Sequence, residues 1–416
     1  MGSSTVIVVG AGQAGCQVAS SLREEGFTGR IVLVGAEAHL PYQRPPLSKG
    51  HLTGKASRDA LWLRPESWFG EQGIEVRTST RAKHLDTDGR RVLLQDGEAL
   101  EYDDLVLATG ARNRLLRLEG ADLEGVLSLR TLDEADEVRV RLEQAARVVV
   151  VGGGFIGMEV AATAVQLGKN ATVVEVADQL MGRVLSSHTA AFLLQAHRAR
   201  GLKVELTTTV SQIVGVAGRV AAVDTTDGRR LPADLVLVGV GASPNVELAE
   251  QAGLEVDNGI VVDELLRTSA PHVYAVGDCV CAPNPFAGGT RVRLESVQNA
   301  TAQGRRLAAT LTGCPEPFSS VPWFWSDQAD LKLQIAGLTT GHTEVAVRGD
   351  VSSERFSVYC FSQGRLLGVE SVNCPADHMA ARRLLSGSTS LSPQDVRRDD
   401  FDIKRASTAG STPAAP

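Results

Sequence analysis

Residues 147–160 read RVVVVGGGFIGMEV, and residues 6–15 have already given VIVVGAGQAG. The repeat is longer than the two turns. VIVVGAGQAGCQVASSLREEG and VVVVGGGFIGMEVAATAVQLG align at a constant offset from Val6/Val148 to Gly26/Gly168. Each copy is an apolar run, a GxGxxG turn and a stretch rich in small residues, which predicts the strand, turn and helix that open a Rossmann-like domain. In such a turn Gly10 and Gly152 permit the bend. Gly12 and Gly154 let the backbone approach a pyrophosphate, and Gly15 and Gly157 let the helix pack on the strand. Ala14 and Ile156 stand beside the third glycine of each turn. The helix N-terminus then offers free N–H groups and partial positive charge to phosphates.

The segment after each turn narrows the ligand. The second copy continues NATVVEVAD, a strand ending at Glu175, at the spacing where an acid accepts hydrogen bonds from the ribose hydroxyls of NAD. A 2'-phosphate is repelled there, and Val176, Ala177 and Asp178 supply no cation, so NADH is preferred over NADPH. The first copy continues RIVLVGAE, with Gly35 near the strand end and Glu37 as the ribose acid. Two dinucleotide sites in one chain suggest a donor and an acceptor. YDDLVLATGAR (102–112) predicts a strand ending in Thr109-Gly110, and TSAPHVYAVGDC (268–279) one ending in Gly277-Asp278, where an acid can bond a sugar or ribityl hydroxyl.

Length and composition agree with this reading. A chain of 416 residues is long enough for two or three domains, and 43% hydrophobic with 22% charged residues is a globular balance. A net charge of -7 argues against nucleic acid, whose phosphates demand a basic surface. No apolar run is long enough to span a bilayer, and MGSSTVIVVG has no basic n-region or cleavage site, so a cytoplasmic location is expected. The six cysteines are expected to be reduced thiols. Cys279 and Cys281 form a CxC with no second ligand pair at metal spacing, so no metal site is expected.

The order GAGQAG, PYQRPPLSK, ATG, GGGFIG, VGVGASPN, VYAVGD, RLESVQNA and WFWSDQ resembles the FAD-dependent ferredoxin reductases of bacterial oxygenase systems, the putidaredoxin reductase and aromatic-ring dioxygenase reductase group. The likeness runs from Val6 to Ile403. It implies an α/β, glutathione-reductase-like fold of two Rossmann-like nucleotide-binding domains and a small α+β C-terminal domain. The expected divisions are an FAD-binding domain over 1–112 and 247–319, an NAD-binding domain over 113–246, a C-terminal domain over 320–405 and a disordered tail over 406–416. The tail reads ASTAGSTPAAP, and FSVYCF, LLGVESVN and ADHMAARRLLSG supply the alternating strands and the helix of the third domain.

Carried over position by position, the resemblance implies that the first turn holds the FAD pyrophosphate. Arg44 and Lys49 of YQRPPLSK would lie along the FAD, with Ala82, Thr109, Gly110, Arg130, Asp278 and Val297 as further contacts and Trp325 and Glu295 beside the flavin. The second turn would hold NADH, with Glu159 on the nicotinamide carboxamide, Arg183 of LMGRVL facing the nucleotide and Gly241 of VGVGASPN completing the site. Lys49 also has a direct reading, because two prolines stiffen its approach. Glu159 equally suits a helix dipole, and Trp323 suits an aromatic cluster.

The cysteines bear on the branch of the wider superfamily. Disulfide reductases need a cysteine pair beside the flavin, and peroxide reductases a single reactive one after the first turn. HLPYQRPPLSKGHL carries none, and Cys16 reads as a small packed residue. The chemistry then requires only that nicotinamide C4 stack over flavin N5, with no acid–base pair. The acceptor implied is a two-iron two-sulfur ferredoxin feeding an oxygenase, as in aromatic hydrocarbon catabolism. Such acidic partners call for a basic patch, with Arg64, Arg305, Arg306, Arg382, Arg383, Arg397, Arg398, Lys404 and Arg405 as candidates, on a monomer or weak homodimer. A peroxide or thiol oxidoreductase and a redox-sensing flavoprotein stay open beside it.

Overall fold

The computed structural model describes residues 4–387 and 390–409. They pack as two compact units, one drawn from Met1–Gln43, Arg58–Arg112 and Ser243–Ser320, the other from Arg44–Ser57, Asn113–Ala242 and Val321–Pro416. Residues 44–57, expected in the FAD-binding domain, thus pack within the second unit.

The first unit is built on a five-stranded sheet in the order Val273–Ala275, Asp104–Leu107, Thr5–Val9, Arg30–Val34, Ile74–Arg77. Every pairing is parallel. Ile7, Val8, Ile31, Val32, Leu33, Leu105 and Val106 are fully buried, as continuous apolar runs should be in a sheet covered on both faces. The chain leaves the central strand through the first glycine turn into the helix Gln13–Glu24. Neighbouring strands lie to either side of it, so the turn stands at the topological switch point where open α/β sheets bind ligands.

The second unit repeats the plan. Its parallel sheet runs Lys203–Glu205, Asn170–Val174, Arg147–Val151, Leu235–Val238, Val126–Leu127, and the central strand feeds the helix Phe155–Gln166. The hydrogen bonds recur with the sequence. Gly10 N–H donates to Val34 at 2.8 Å and Gly152 N–H to Val174 at 2.8 Å.

From Trp323 the pattern changes to an antiparallel five-stranded sheet, ordered Trp323–Gln328, Leu331–Gly337, Arg365–Val372, Arg355–Ser362, Glu344–Asp350. The helix Pro375–Ser386 lays Ala380, Ala381 and Leu384 against its Tyr359, Phe361 and Val369. The last described element is the helix Ile403–Ala409, on which Ala406 joins the same core. That corrects the expected tail at its start: Ala406 finds an apolar face and stays helical, while 410–416 lie outside the described residues.

His378 is 1% exposed, and neither ring nitrogen has a hydrogen-bond partner. Its ring packs edge-on to Trp323 at 5.5 Å. Burial first, and the Arg382 guanidinium second, push its pKa from 6.5 down to about 4. The unfolded chain therefore binds this proton at a higher pH than the folded one does. The full stability is present above pH 6.5 and is lost as the pH falls toward 4. His378→Leu should flatten that limb, sparing on the order of 3 kcal/mol at pH 4, as read from urea unfolding at pH 7.5 and pH 4.

Candidate functional site

The two glycine turns can be compared atom by atom. A Cβ on Gly10 would overlap the Ala108 carbonyl, and one on Gly152 the Gly239 carbonyl. A Cβ on Gly15 or Gly157 would overlap the carbonyl oxygen of Gly10 or Gly152 in its own turn. Gly12 and Gly154 differ: a Cβ there would meet nothing within 4 Å. Nothing inside the fold asks for glycine at these two positions, and both are left open to approach from outside. The turns fit a pyrophosphate.

In the first unit, several expected contacts gather at the end of the central strand. Gly277, whose Cβ would press on Ala14 Cβ, carries Asp278 to the start of the first helix. The Gly277 N–H donates to the buried Gln303 side chain at 2.7 Å. Gln303 lies on the helix Val297–Leu311, which begins at Val297 and is tied to the glycine-turn helix by Gln13 to Thr301 at 3.2 Å. Thr109 and Gly110 are locked to Asn245: the Thr109 hydroxyl donates to its carbonyl at 2.6 Å, its amide returns a bond to Thr109 at 2.8 Å, and its N–H reaches Gly110 at 2.9 Å. Glu37 accepts from the Tyr42 hydroxyl at 2.5 Å, and its backbone carbonyl takes the Ser79 N–H, three residues before Ala82. Glu295 is paired with Arg293.

In the second unit, Arg44 donates to the Arg130 carbonyl at 2.5 Å. Lys49 follows the short helix Pro45–Ser48, and its ammonium lies 2.6 Å from Glu159. Glu159 is only 2% exposed and is the fifth residue of the helix Phe155–Gln166, one turn in rather than in the first turn. Its second oxygen accepts from Ser326 at 2.7 Å, and Ser48 shares the first at 2.5 Å. The chain of bonds continues: Gln328 donates to Ser326 at 3.2 Å, and its carbonyl faces His197 at 2.7 Å. Burial holds His197 below the usual imidazole pKa. With its imidazole neutral, Nε2–H is the donor to Gln328.

The rest of the second set clusters at its own turn. Glu175 accepts from the Gly153 and Ala177 N–H groups, and Val176 beside it is 69% exposed. Ile156 projects from the turn, 44% exposed. The Arg183 guanidinium stands against Gly241. Trp325 stacks at 5.5 Å from Trp323, which Arg382 covers at 4.3 Å.

Ser326, Gln328, His197, Asn245 and Gln303 escaped the sequence reading. A signal existed for two: alternation in WFWSDQ puts Ser326 and Gln328 on one face and the tryptophans on the other. The basic candidates divide. Arg306, Arg397 and Arg398 are paired with Glu316, Glu344 and Asp400, and Arg64 covers Trp68. Arg305, Arg383, Lys404 and Arg405 make no ion pair among the described residues. No described helix is long and apolar enough to cross a membrane.

Residues 4–304 match the pyridine nucleotide-disulphide oxidoreductase family, and 323–407 match the reductase C-terminal family. The chain belongs to the pyridine nucleotide-disulphide oxidoreductases. That membership brings a flavin and NAD(P)H as the redox pair. The chain is 50% identical over 402 residues to rhodocoxin reductase of Rhodococcus erythropolis, covering 97% of this chain and 94% of that one. A solved ferredoxin reductase from Rhodopseudomonas palustris superimposes with a TM-score of 0.94 at 47% identity, covering 97% and 99%. The covalent putidaredoxin reductase–putidaredoxin complex gives a TM-score of 0.94 at 38% identity over 99% of each chain. The glutathione-reductase-like architecture is thereby shared along the whole length.

Despite the family's name, four of the six thiols are buried. Burial pushes Cys16 up to about 12 against a smaller opposing pull from Arg64, and it raises Cys279, Cys281, Cys360 and Cys374 as well. Cys279 donates to the Val276 carbonyl at 3.3 Å. A thiolate nucleophile is disfavoured at each of these five.

The glycine geometry separates two substitutions at one turn. Gly154→Ala should unfold at the wild-type temperature, since its Cβ meets nothing, whereas Gly157→Ala should lose more than ~2 kcal/mol through backbone overlap. Paired thermal melts of the two variants without added nucleotide test this.

Proposed function

We propose that this protein is an NADH-dependent ferredoxin reductase: it takes a hydride from NADH onto FAD and passes the electrons singly to a two-iron two-sulfur ferredoxin that supplies an oxygenase. The observation that carries the reading is the pair of glycine turns, alike in register and each with an open approach at its second glycine, in a chain that aligns from end to end with ferredoxin reductases.

The flavin, when bound, converts one two-electron donor into two one-electron deliveries. The chain's own residues bind and orient. Gly10, Gly12, Ala14 and Gly15 receive the FAD pyrophosphate at a helix N-terminus, with Glu37 on the ribose. Ala82, Thr109, Gly110, Asp278 and Val297 of the first unit line the path of the FAD, with Glu295 nearby; Arg44, Arg130 and Trp325 are FAD contacts by the family resemblance alone. Gly152, Gly154, Ile156 and Gly157 receive the NADH pyrophosphate, with Glu175 on its ribose and Arg183 and Gly241 at its edge. Lys49 is a fixed positive charge toward the flavin. Glu159, expected on the nicotinamide carboxamide, is assigned instead to holding Lys49, since Ser48, Lys49 and Ser326 already engage both its oxygens. No residue has to move a proton for hydride transfer. The positioning of two rings is the catalytic contribution.

The three-domain division, with residues 44–57 taken out of the FAD-binding part, serves this chemistry as FAD-binding, NAD-binding and C-terminal parts. Arg305, Arg383, Lys404 and Arg405 are the strongest docking candidates for an acidic ferredoxin, because their charges are not spent on ion pairs among the described residues. Arg64, Arg306, Arg382, Arg397 and Arg398 are weaker ones.

Anaerobic titration with NADH tests the reading, with the flavin absorbance followed. Bleaching should be complete at about one equivalent per flavin. Two equivalents would reveal a second redox centre among the cysteines, and no bleaching would sink the reductase reading. The coenzyme preference has its own test. Glu175→Ala combined with Val176→Arg removes a repelling carboxylate and adds a cation at an exposed position. The NADH/NADPH ratio of kcat/KM should fall about a hundredfold, two contacts of ~1.4 kcal/mol each, and an unchanged ratio would remove Glu175 from the ribose.

A further inference from the structure

Residues 175–186 connect the strand Asn170–Val174 to the helix Ser187–Ala199, and they carry Arg183. Their backbone takes an unfavourable turn: Met181 has φ of 50°, left-handed, and is buried. For a residue other than glycine that conformation is unfavourable, so its neighbours must hold it. On one side the glycine turn does so, because the Met181 N–H donates to the Gly153 carbonyl at 3.0 Å.

On the other side, within the same unit, stand the C-terminal sheet and the loop 338–343 that joins its strands Leu331–Gly337 and Glu344–Asp350. The Thr339 hydroxyl donates to the Val184 carbonyl at 2.6 Å, and the Thr340 hydroxyl to the Arg183 carbonyl at 3.2 Å. The fully buried Glu370 accepts from both the N–H and the hydroxyl of Ser186 at 2.7 and 2.6 Å, fixing the helix N-cap. Gln328 donates to the Met181 sulfur at 3.5 Å. Between these anchors the Arg183 side chain is exposed, stands against Gly241 and makes no ion pair among the described residues. A long cation keeps most of its rotamer entropy when free, and it loses less on binding when its backbone is already fixed.

We propose that Thr339 and Thr340 are positioning residues for the electron donor: the loop they occupy between two strands of the C-terminal sheet fixes the backbone at Arg183 and so aims its guanidinium at the anionic pyridine dinucleotide. The C-terminal part thus serves NADH as well as the protein acceptor. The inference rests on the reading of the second glycine turn as the NADH site.

The test is a double-mutant cycle on the flavin-loaded full chain, with ferricyanide as acceptor so that ferredoxin docking does not enter. Arg183→Ala should raise the KM for NADH about tenfold and weaken its dependence on salt. Thr339→Val/Thr340→Val should raise it about threefold to tenfold, with kcat within about twofold, the effect expected of one to two net hydrogen bonds. Thr340 is exposed, so Thr340→Val alone supplies a variant that keeps the fold, and Thr340→Ser should restore the KM. The threonine effect should vanish in the Arg183→Ala background. A KM unchanged by the threonine changes, or raised equally with and without Arg183, overturns the proposal and leaves the NADH site standing. Should Arg183→Ala and Gly154→Val both leave the KM unchanged, the site reading itself fails, and the proposal with it.

Discussion

In each turn the third glycine lies under the carbonyl oxygen of the first, where no side chain fits. This closeness fixes the axis of the helix against the central strand, and so decides where its N-terminal N–H groups point. Both proposed nucleotide sites depend on it. The helix Gln13–Glu24 has no side-chain N-cap, and neither has Phe155–Gln166: Gly12 and Gly154 occupy the cap positions in extended backbone. Their first N–H groups are thus left to a ligand, which is the usual fate of orphan helix donors in an anion-binding turn.

The parts of the fold that were legible in the sequence are those with short-range causes. The strand–turn–helix repeat needs only four-residue apolar runs and glycines at fixed spacing, and the antiparallel C-terminal sheet announces itself in alternation such as FSVYCF. The place of Glu175 could be read because it directly follows a strand end. The linking of His197 to Gln328, of Ser326 to Glu159 and of Glu159 to Ser48 and Lys49 could not, because each of these links spans more than a hundred residues. No local period marks a serine as the partner of a distant carboxylate. For the same reason residues 44–57 read as part of the first nucleotide domain, though Ser48 and Lys49 are held by Glu159, and His51 by Asp136 at 2.8 Å.

Charge shows a similar division. Composition gives a net of -7 but not where the cations are spent. Arg200 is shared between Asp330 and Glu354, and Arg229 between Glu205 and Asp227. Such exposed pairs add little stability each. Their larger effect is to neutralise positive charge locally, so that the cations without an ion pair among the described residues set the field an approaching partner meets.

The Lys49–Glu159 pair has a consequence for how this protein can vary. Each charge sits in surroundings that cannot hydrate it well, so removing one alone strands the other, a loss of about 3–5 kcal/mol for a buried pair. Ser48 and Ser326 share the same carboxylate. Four residues from three distant segments therefore form one unit of inheritance: a drifting sequence crosses this point only by coordinated steps, while the exposed loops around it change one residue at a time.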